Sequence, residues 1–282
     1  MSGVVGGKKL PSSRARLAQN VGDTTPSGLK RGFAFLRFAF QPPAFFFGCT
    51  IPIGYDTTEQ RKMASRLTPR VRRALLYLQG FDGKKVAKAA SHPTLDCACL
   101  DMEDGVGITM KEHARDGILH ALKTVDFGRT ERLVRINAFD TGYLAMKDLE
   151  AVLSSPVLPD GIVIPKVESA LDVLNVSERL DALGDQALDT RIVCMIESAT
   201  SVLNMKEICA ASPHRMDAVI FGADDYASTV GATRTKTGEE MDFARNFLMM
   251  QAKAQGVEVI DLVQIDFHDE QQLRKESRKS FE

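Results

Sequence analysis

The stretch 192-IVCMIESATSVLNM-205 decides the fold. A run of β-prone apolar residues ends on a carboxylate, Glu197, passes through the small residues Ser198, Ala199 and Thr200, and resumes with apolar residues at helical spacing. That is one strand feeding one helix with a charge at the junction. A lone carboxylate buried there is expensive, so the rest of the chain must offer it a partner.

Outward from this unit the same grammar repeats. Apolar runs occur at 74-ALLYL-78, 96-DCACLDME-103, 132-RLVRIN-137, 161-GIVIPK-166, 191-RIVCMIE-197, 217-DAVIFGADD-225 and 257-VEVIDLVQIDF-267. Between them 83–90, 111–125, 143–155, 168–184, 200–211 and 239–256 place apolar residues at helical spacing, with Thr200 or Ser201 as a possible helix start and Gly256 just past a helix end. Seven strands alternating with helices predict a parallel sheet covered on both faces. The two candidates are a closed (β/α)8 barrel of TIM type and an open doubly wound sheet. No G-x-G-x-x-G follows the first strand, as a dinucleotide-binding sheet would require, and polar residues gather at the strands' C-terminal ends, where a barrel puts its chemistry. The expectation is a TIM-type barrel lacking its eighth strand, because 268-HDEQQLRKESRKSFE-282 is polar and helix-compatible.

The 282 residues suffice for a sizeable core, and 44% hydrophobic with 26% charged residues is a soluble, globular composition. A net charge of −1 points to neither nucleic acid nor an anionic membrane as partner. The charge is uneven: Met1 to Arg73 holds thirteen Lys and Arg against Asp23, Asp56 and Glu59. A basic, acid-poor, Ser-containing start is the composition of a mitochondrial transit segment. Residues 1–71 are therefore expected to be a targeting or disordered extension and 72–282 the barrel, with a cytoplasmic address as the alternative and Met63 as a second possible start. The apolar run 32–54 is broken by Arg37 and Pro42-Pro43, so neither half reaches the ~20 residues of a spanning helix. Five scattered cysteines form no C-x-x-C pair and imply a reducing compartment.

The strand ends carry Asp101, Glu103 and Asp104, then Arg135 and Asn137, Lys166, Glu197, Asp224 and Asp225, and Asp261. A barrel brings these to one mouth, where crowded carboxylates raise one another's pKa or recruit a cation. Oxygen donors without His or Cys suit Mg2+, or Mn2+, which takes one or two carboxylates and completes its shell with water and substrate. Glu197 with one of Asp224 and Asp225 is that pair. Arg135 suits a substrate carboxylate, Lys166 has Glu103 or Asp104 to neutralise, and the metal stabilises the enolate formed as a carbon–carbon bond beside a carbonyl is made or broken. Lys84 and Lys88, four apart on the first helix, are either a solvated face or phosphate contacts at the mouth. No histidine falls at a strand end.

The motifs 72-RRALLYLQG-80, 98-ACLDMEDGV-106, 133-LVRIN-137, 163-VIPKVES-169, 195-MIESA-199, 219-VIFGADDYAS-228 and 260-IDLVQIDF-267, in this order, resemble the citrate lyase beta-subunit-like proteins of the acid-aldolase barrel group, and within it the mitochondrial branch that cleaves citramalyl-CoA. The resemblance implies Glu197 and Asp225 as Mg2+ ligands and Arg135 as the substrate-carboxylate arginine. It implies Tyr77, Lys84 and Lys88 as contacts to a CoA-bearing substrate, with Asp261 near the same pocket, and assembly into trimers or hexamers. The reaction it implies is cleavage of a 3-hydroxy-acyl-CoA thioester such as citramalyl-CoA or malyl-CoA. Gln79 stands where the family has Pro. The family continues into a G-x-x-G-K-x-x-I-H-P strand and an extension whose Asp serves the neighbouring subunit's site as acid/base, and both are absent up to Glu282. The competing expectations are therefore an impaired isoform or fragment that binds metal or acyl-CoA, or joins full-length subunits, and an enzyme of malate synthase-like condensation or thioester hydrolysis.

Overall fold

The computed structural model describes residues 70–266 and 268–281. Apart from its last two residues, the expected extension over 1–71 lies outside them, as do Met63 and Cys49. Seven strands form one parallel sheet in chain order: β1 (Leu75–Gln79), β2 (Cys97–Asp101), β3 (Glu131–Arg135), β4 (Gly161–Ile164), β5 (Arg191–Ile196), β6 (Met216–Phe221) and β7 (Glu258–Ile260). Each pairs with the next, Leu75 opposite Cys97 and Cys97 opposite Glu131. The crossovers contain helices α1 (Gly83–Ala90), α2 (Lys111–Thr124), α3 (Tyr143–Leu153), α4 (Ala170–Ala182), α5 (Ala199–Leu203), α6 (Met205–Ala210), α7 (Ala223–Thr229) and α8 (Asp242–Ala254), and α9 (Glu270–Phe281) follows β7. Among the described residues β7 does not pair with β1. The sheet is curled into a half-barrel, a TIM-like barrel lacking a strand.

Two apolar layers hold it. Ala98, Leu100, Val134, Ile162, Ile192, Cys194 and Val219 face outward into the helices, against Val86 of α1, Ile118 of α2, Leu149 of α3 and Val176 of α4. The alternate residues Leu75, Cys97, Cys99, Leu133, Val163, Val193, Met195, Ala218, Ile220 and Ile260 fill the interior. Burying each such side chain is worth roughly 1.5–3 kcal/mol, so a strand buried on both faces reads as the continuous apolar run seen in the sequence.

The barrel floor is ionic. Arg72, 1% exposed, donates to Glu131 at the start of β3 and to Glu258 at the start of β7, and pairs with Asp217 of β6. Between Ile192 and Val193 the pairing with β6 slips, leaving Asp217 unpaired in a bulge, and a bulge re-aims a side chain. One guanidinium thereby ties the first, third, sixth and seventh strands.

Three expectations need correction. The run 217–225 is strand only to Phe221, and Asp224 and Asp225 lie in the first turn of α7. The run 257–267 is strand only over Glu258–Ile260, the chain from Asp261 to Asp266 being irregular. The helix expected over 200–211 is two, divided at Asn204, and its cap is Ser198: the Ser198 and Ser201 hydroxyls satisfy each other's backbone N–H groups, the reciprocal arrangement of a capping box.

Candidate active site

Side chains alternate across a strand, so the apolar inner face determines which strand-end residues point inward. Leu75 and Tyr77 put Gln79 inside; Cys97 and Cys99 put Asp101 there; Leu133 puts Arg135, Val193 and Met195 put Glu197, and Ala218 and Ile220 put Gly222. These residues, with Tyr77, Lys85, Asp104, Asp224 and Asp225, line a cavity of about 310 Å³ at the C-terminal mouth of the strands. Gly222 leaves Glu197 its place there: a Cβ would lie 2.4 Å from the Cγ and Oε1 of Glu197 and would displace that side chain.

Arg135 is the central cation. Its Nε and Nη2 donate to the Asp101 carboxylate at 2.7 and 2.8 Å, its Nη1 lies 2.8 Å from Glu103, and its guanidinium sits 4.9 Å above the Tyr77 ring centroid. Burial disfavours the charged form of Asp101, but Arg135 and the N–H groups of Glu103 and Gly105 outweigh it and hold the carboxyl below its ordinary range. Glu103 is raised instead, chiefly by burial, with Asp104 adding to the shift and Arg135 and Lys166 opposing it. Lys166 Nζ lies 3.2 Å from Glu103 and 3.9 Å from Asp104. Glu197 accepts a 2.9 Å hydrogen bond from the Lys166 N–H; burial first, then the charges of Glu103 and Asp225, push its pKa up to about 7. Asp224 is paired with Arg234 at 2.6 Å, while the Asp225 carboxylate has no hydrogen bond or ion pair among the described residues.

With this geometry in hand, relatives are informative. The family model for HpcH/HpaI aldolase/citrate lyase matches residues 73–282. The chain belongs to this family. Human mitochondrial citramalyl-CoA lyase is 37% identical over 237 residues, covering 80% of this chain and 67% of that one, so the chain spans about two thirds of the relative's length. Among solved structures, RipC from Yersinia pestis is 31% identical with a TM-score of 0.57, over 68% of this chain and 80% of that one. Haloferax volcanii malate synthase in its magnesium/glyoxylate complex aligns at TM-score 0.61 over 70% of this chain and 64% of that one, and at 19% identity shares the fold alone.

Of the residues singled out for this aldolase/lyase chain, Tyr77, Asp104, Arg135, Glu197 and Asp225 meet at the cavity, with Glu103 and Lys166 paired beside it. Lys84 and Lys88 are exposed on α1 and do not line it; Lys85 does, its Nζ 3.2 Å from Gln79 Oε1, while Gln79 Nε2 donates to Gly105 O at 2.8 Å. The helix buries Val86 and Ala89, which turns 84 and 88 to solvent and 85 to the mouth. Asp261 also lies off the cavity wall: Arg245 of α8 and Ser280 of α9 hold its carboxylate, and Val263 lines the cavity instead. Sequence reading passed over Lys111, whose buried ammonium donates to Met102 O at 2.7 Å, Glu103 O at 2.9 Å and Asn137 Oδ1 at 2.6 Å. At the head of an amphipathic helix nothing marked it as inward-facing.

No group of three or more His, Cys, Asp or Glu side chains surrounds a common point among the described residues. The donor set nevertheless fits a hard divalent cation that draws on water and substrate oxygens. Glu197 and Asp225 are two carboxylates on one cavity, the charge of Asp225 adding to the cost of ionising Glu197, and the Cβ-less Gly222 leaves Glu197 its space.

Proposed function

We propose that this aldolase/lyase family member is a Mg2+-dependent carbon–carbon lyase that cleaves a 3-hydroxy-acyl-CoA thioester, citramalyl-CoA first, to acetyl-CoA and pyruvate. The observation that carries the reading is the convergence of Arg135, Glu197 and Asp225 on one cavity at the strand ends. Glu197 and Asp225 would hold the cation, with Mn2+ as a substitute. When bound, Mg2+ supplies Lewis-acid stabilisation to the negative charge developing on substrate oxygen. In the reaction the substrate hydroxyl loses its proton and becomes a carbonyl. The bond from its carbon to the carbon beside the thioester breaks, and that second carbon takes up a proton.

Arg135 orients the substrate carboxylate. Its Nε/Nη2 edge is occupied by Asp101, so the substrate meets the Nη1 edge, in competition with Glu103. The ion pair with Asp101 therefore fixes the direction of approach, and Tyr77 beneath the guanidinium closes that side from water. Lys85 at the mouth, and Lys84 and Lys88 on the surface outside it, give an anionic CoA a basic approach. Residence in mitochondria belongs to the same proposal, supported by the basic N-terminal composition and by the mitochondrial human relative; assembly as a trimer or hexamer is proposed with it on the resemblance of the sequence motifs alone.

Purified protein given Mg2+ and citramalyl-CoA is expected to release pyruvate and acetyl-CoA. Product no greater than that of an Arg135→Ala control overturns the lyase reading. Free CoA without pyruvate would instead mark a thioesterase, condensation of glyoxylate with acetyl-CoA a malate synthase-like enzyme, and Mg2+ binding without turnover a binding-only chain.

A further inference from the structure

We propose that Lys166 is a positioning residue that aims the Glu197 carboxylate through its backbone; the role rests on Glu197 being a metal ligand. Among the described residues Lys166 alone, apart from glycines, has a left-handed backbone, with φ of 49°. A side chain takes that region only where contacts over-determine it, and such residues gather at functional sites. The contacts are present. The Lys166 N–H donates to Glu197 Oε2 at 2.9 Å, and the next N–H, that of Val167, donates to Met195 O at 3.3 Å. Two successive amides leaving β4 thus face the end of β5 together, one on its backbone and one on its carboxylate.

The same residue's ammonium runs to Glu103 Oε1, 3.2 Å away. Glu103 and Glu197 lie just beyond the ends of β2 and β5 and repel each other, and Lys166 holds one by side chain and the other by main chain. Glycine would adopt this backbone freely but hold only Glu197. The other side of Glu197 is bounded by Gly222, so the carboxylate sits between a missing Cβ and a directed N–H. Its orientation is set before any ligand arrives.

The test separates backbone from ammonium. Lys166→Gly and Lys166→Asn lose the charge but keep access to the left-handed region, whereas Lys166→Val loses both. Titration calorimetry with Mg2+ alone is expected to give the Gly and Asn variants affinities within about threefold of each other, and the Val variant an affinity at least tenfold weaker than Gly. In the metal-free wild-type chain the residue-166 amide should exchange slowly. Glu197→Ala should cut its protection at least tenfold while the Val163 amide in β4 stays protected. Equal Mg2+ affinities for the Gly and Val variants, or a residue-166 amide indifferent to Glu197→Ala, overturn the proposal. A wild-type chain that binds no Mg2+ overturns the metal reading of Glu197, and the amide measurement then decides on Lys166 by itself.

Discussion

Glu197 is a buried acid whose pKa is pushed from the ordinary 4.5 to about 7. The folded chain therefore holds its proton more tightly than the unfolded chain, and stability falls as pH rises from about 4.5 to about 7, the full penalty applying above that. Glu197→Gln removes the charge at constant shape. It should stabilise the metal-free protein at about pH 8 by up to about 3 kcal/mol, with the advantage gone near pH 4, in urea melts at the two pH values. Mg2+ binding needs the ionised form, so its affinity should fall about tenfold per pH unit below about 7 and level off above, as calorimetry across pH would reveal. The neighbouring glycine is a steric requirement of the same residue. Gly222→Ala sets a methyl 2.4 Å from the Glu197 side chain; it should cost roughly 1–3 kcal/mol in thermal stability and abolish measurable Mg2+ binding.

At the scale of elements, the segment between β2 and α2 brings Glu103 and Asp104 to the mouth, and it has no regular structure of its own beyond a 3-10 turn at Ile108–Met110. Beside the Asp101 carboxylate and Gln79, Lys111 holds it: its ammonium ties the carbonyls of Met102 and Glu103 to Asn137 beyond the end of β3. Asn137 in turn donates to Asp148 of α3, which Arg115 of α2 also engages. Lys111→Met takes the donor from Asn137 Oδ1 and leaves Met102 O with Asn137 Nδ2 and Glu103 O with the Val106 N–H, and a loss on the order of 2 kcal/mol in denaturant unfolding is expected. The segment should loosen first, read as faster amide exchange at Glu103 than in β2. Lys111→Arg cannot place one compact point charge among three acceptors and should rescue only in part.

On the scale of the whole molecule, the half-barrel is drawn together at its floor by Arg72 against Glu131, Asp217 and Glu258. Burial works against ionisation of Glu131, but Arg72 and Arg70 outweigh it and lower its pKa to about 2. That contribution is fully present above about pH 4.5 and is lost as pH falls toward 2. Arg72→Met takes the guanidinium from Asp217 and Glu258 and leaves Glu131 to Arg70, and should destabilise by roughly 3 kcal/mol in urea unfolding near neutral pH. The difference from wild type should narrow in acid, where protonated carboxyls no longer need the guanidinium. An unchanged gap at about pH 3 would show that the floor is held by packing instead.

The alternation of strands and helices, their order, and the strand-end positions of Arg135 and Glu197 followed from sequence, because a two-residue period and a run of apolar residues constrain one strand locally. The bend of the chain at Phe221 did not, since an acidic pair after glycine is compatible with both a strand end and a helix start. Nor could sequence tell Lys85 from Lys84 and Lys88, or detach Asp261 from the cavity, because those outcomes depend on which helix face packs and on Arg245, sixteen residues upstream, reaching back to pair. The floor salt bridges, the buried Lys111 and the left-handed Lys166 join residues from separate strands. Sequence by itself determined which chemistry is available; only the tertiary structure decided which groups face one another, because charge pairing and burial depend on distances between segments that no local period encodes.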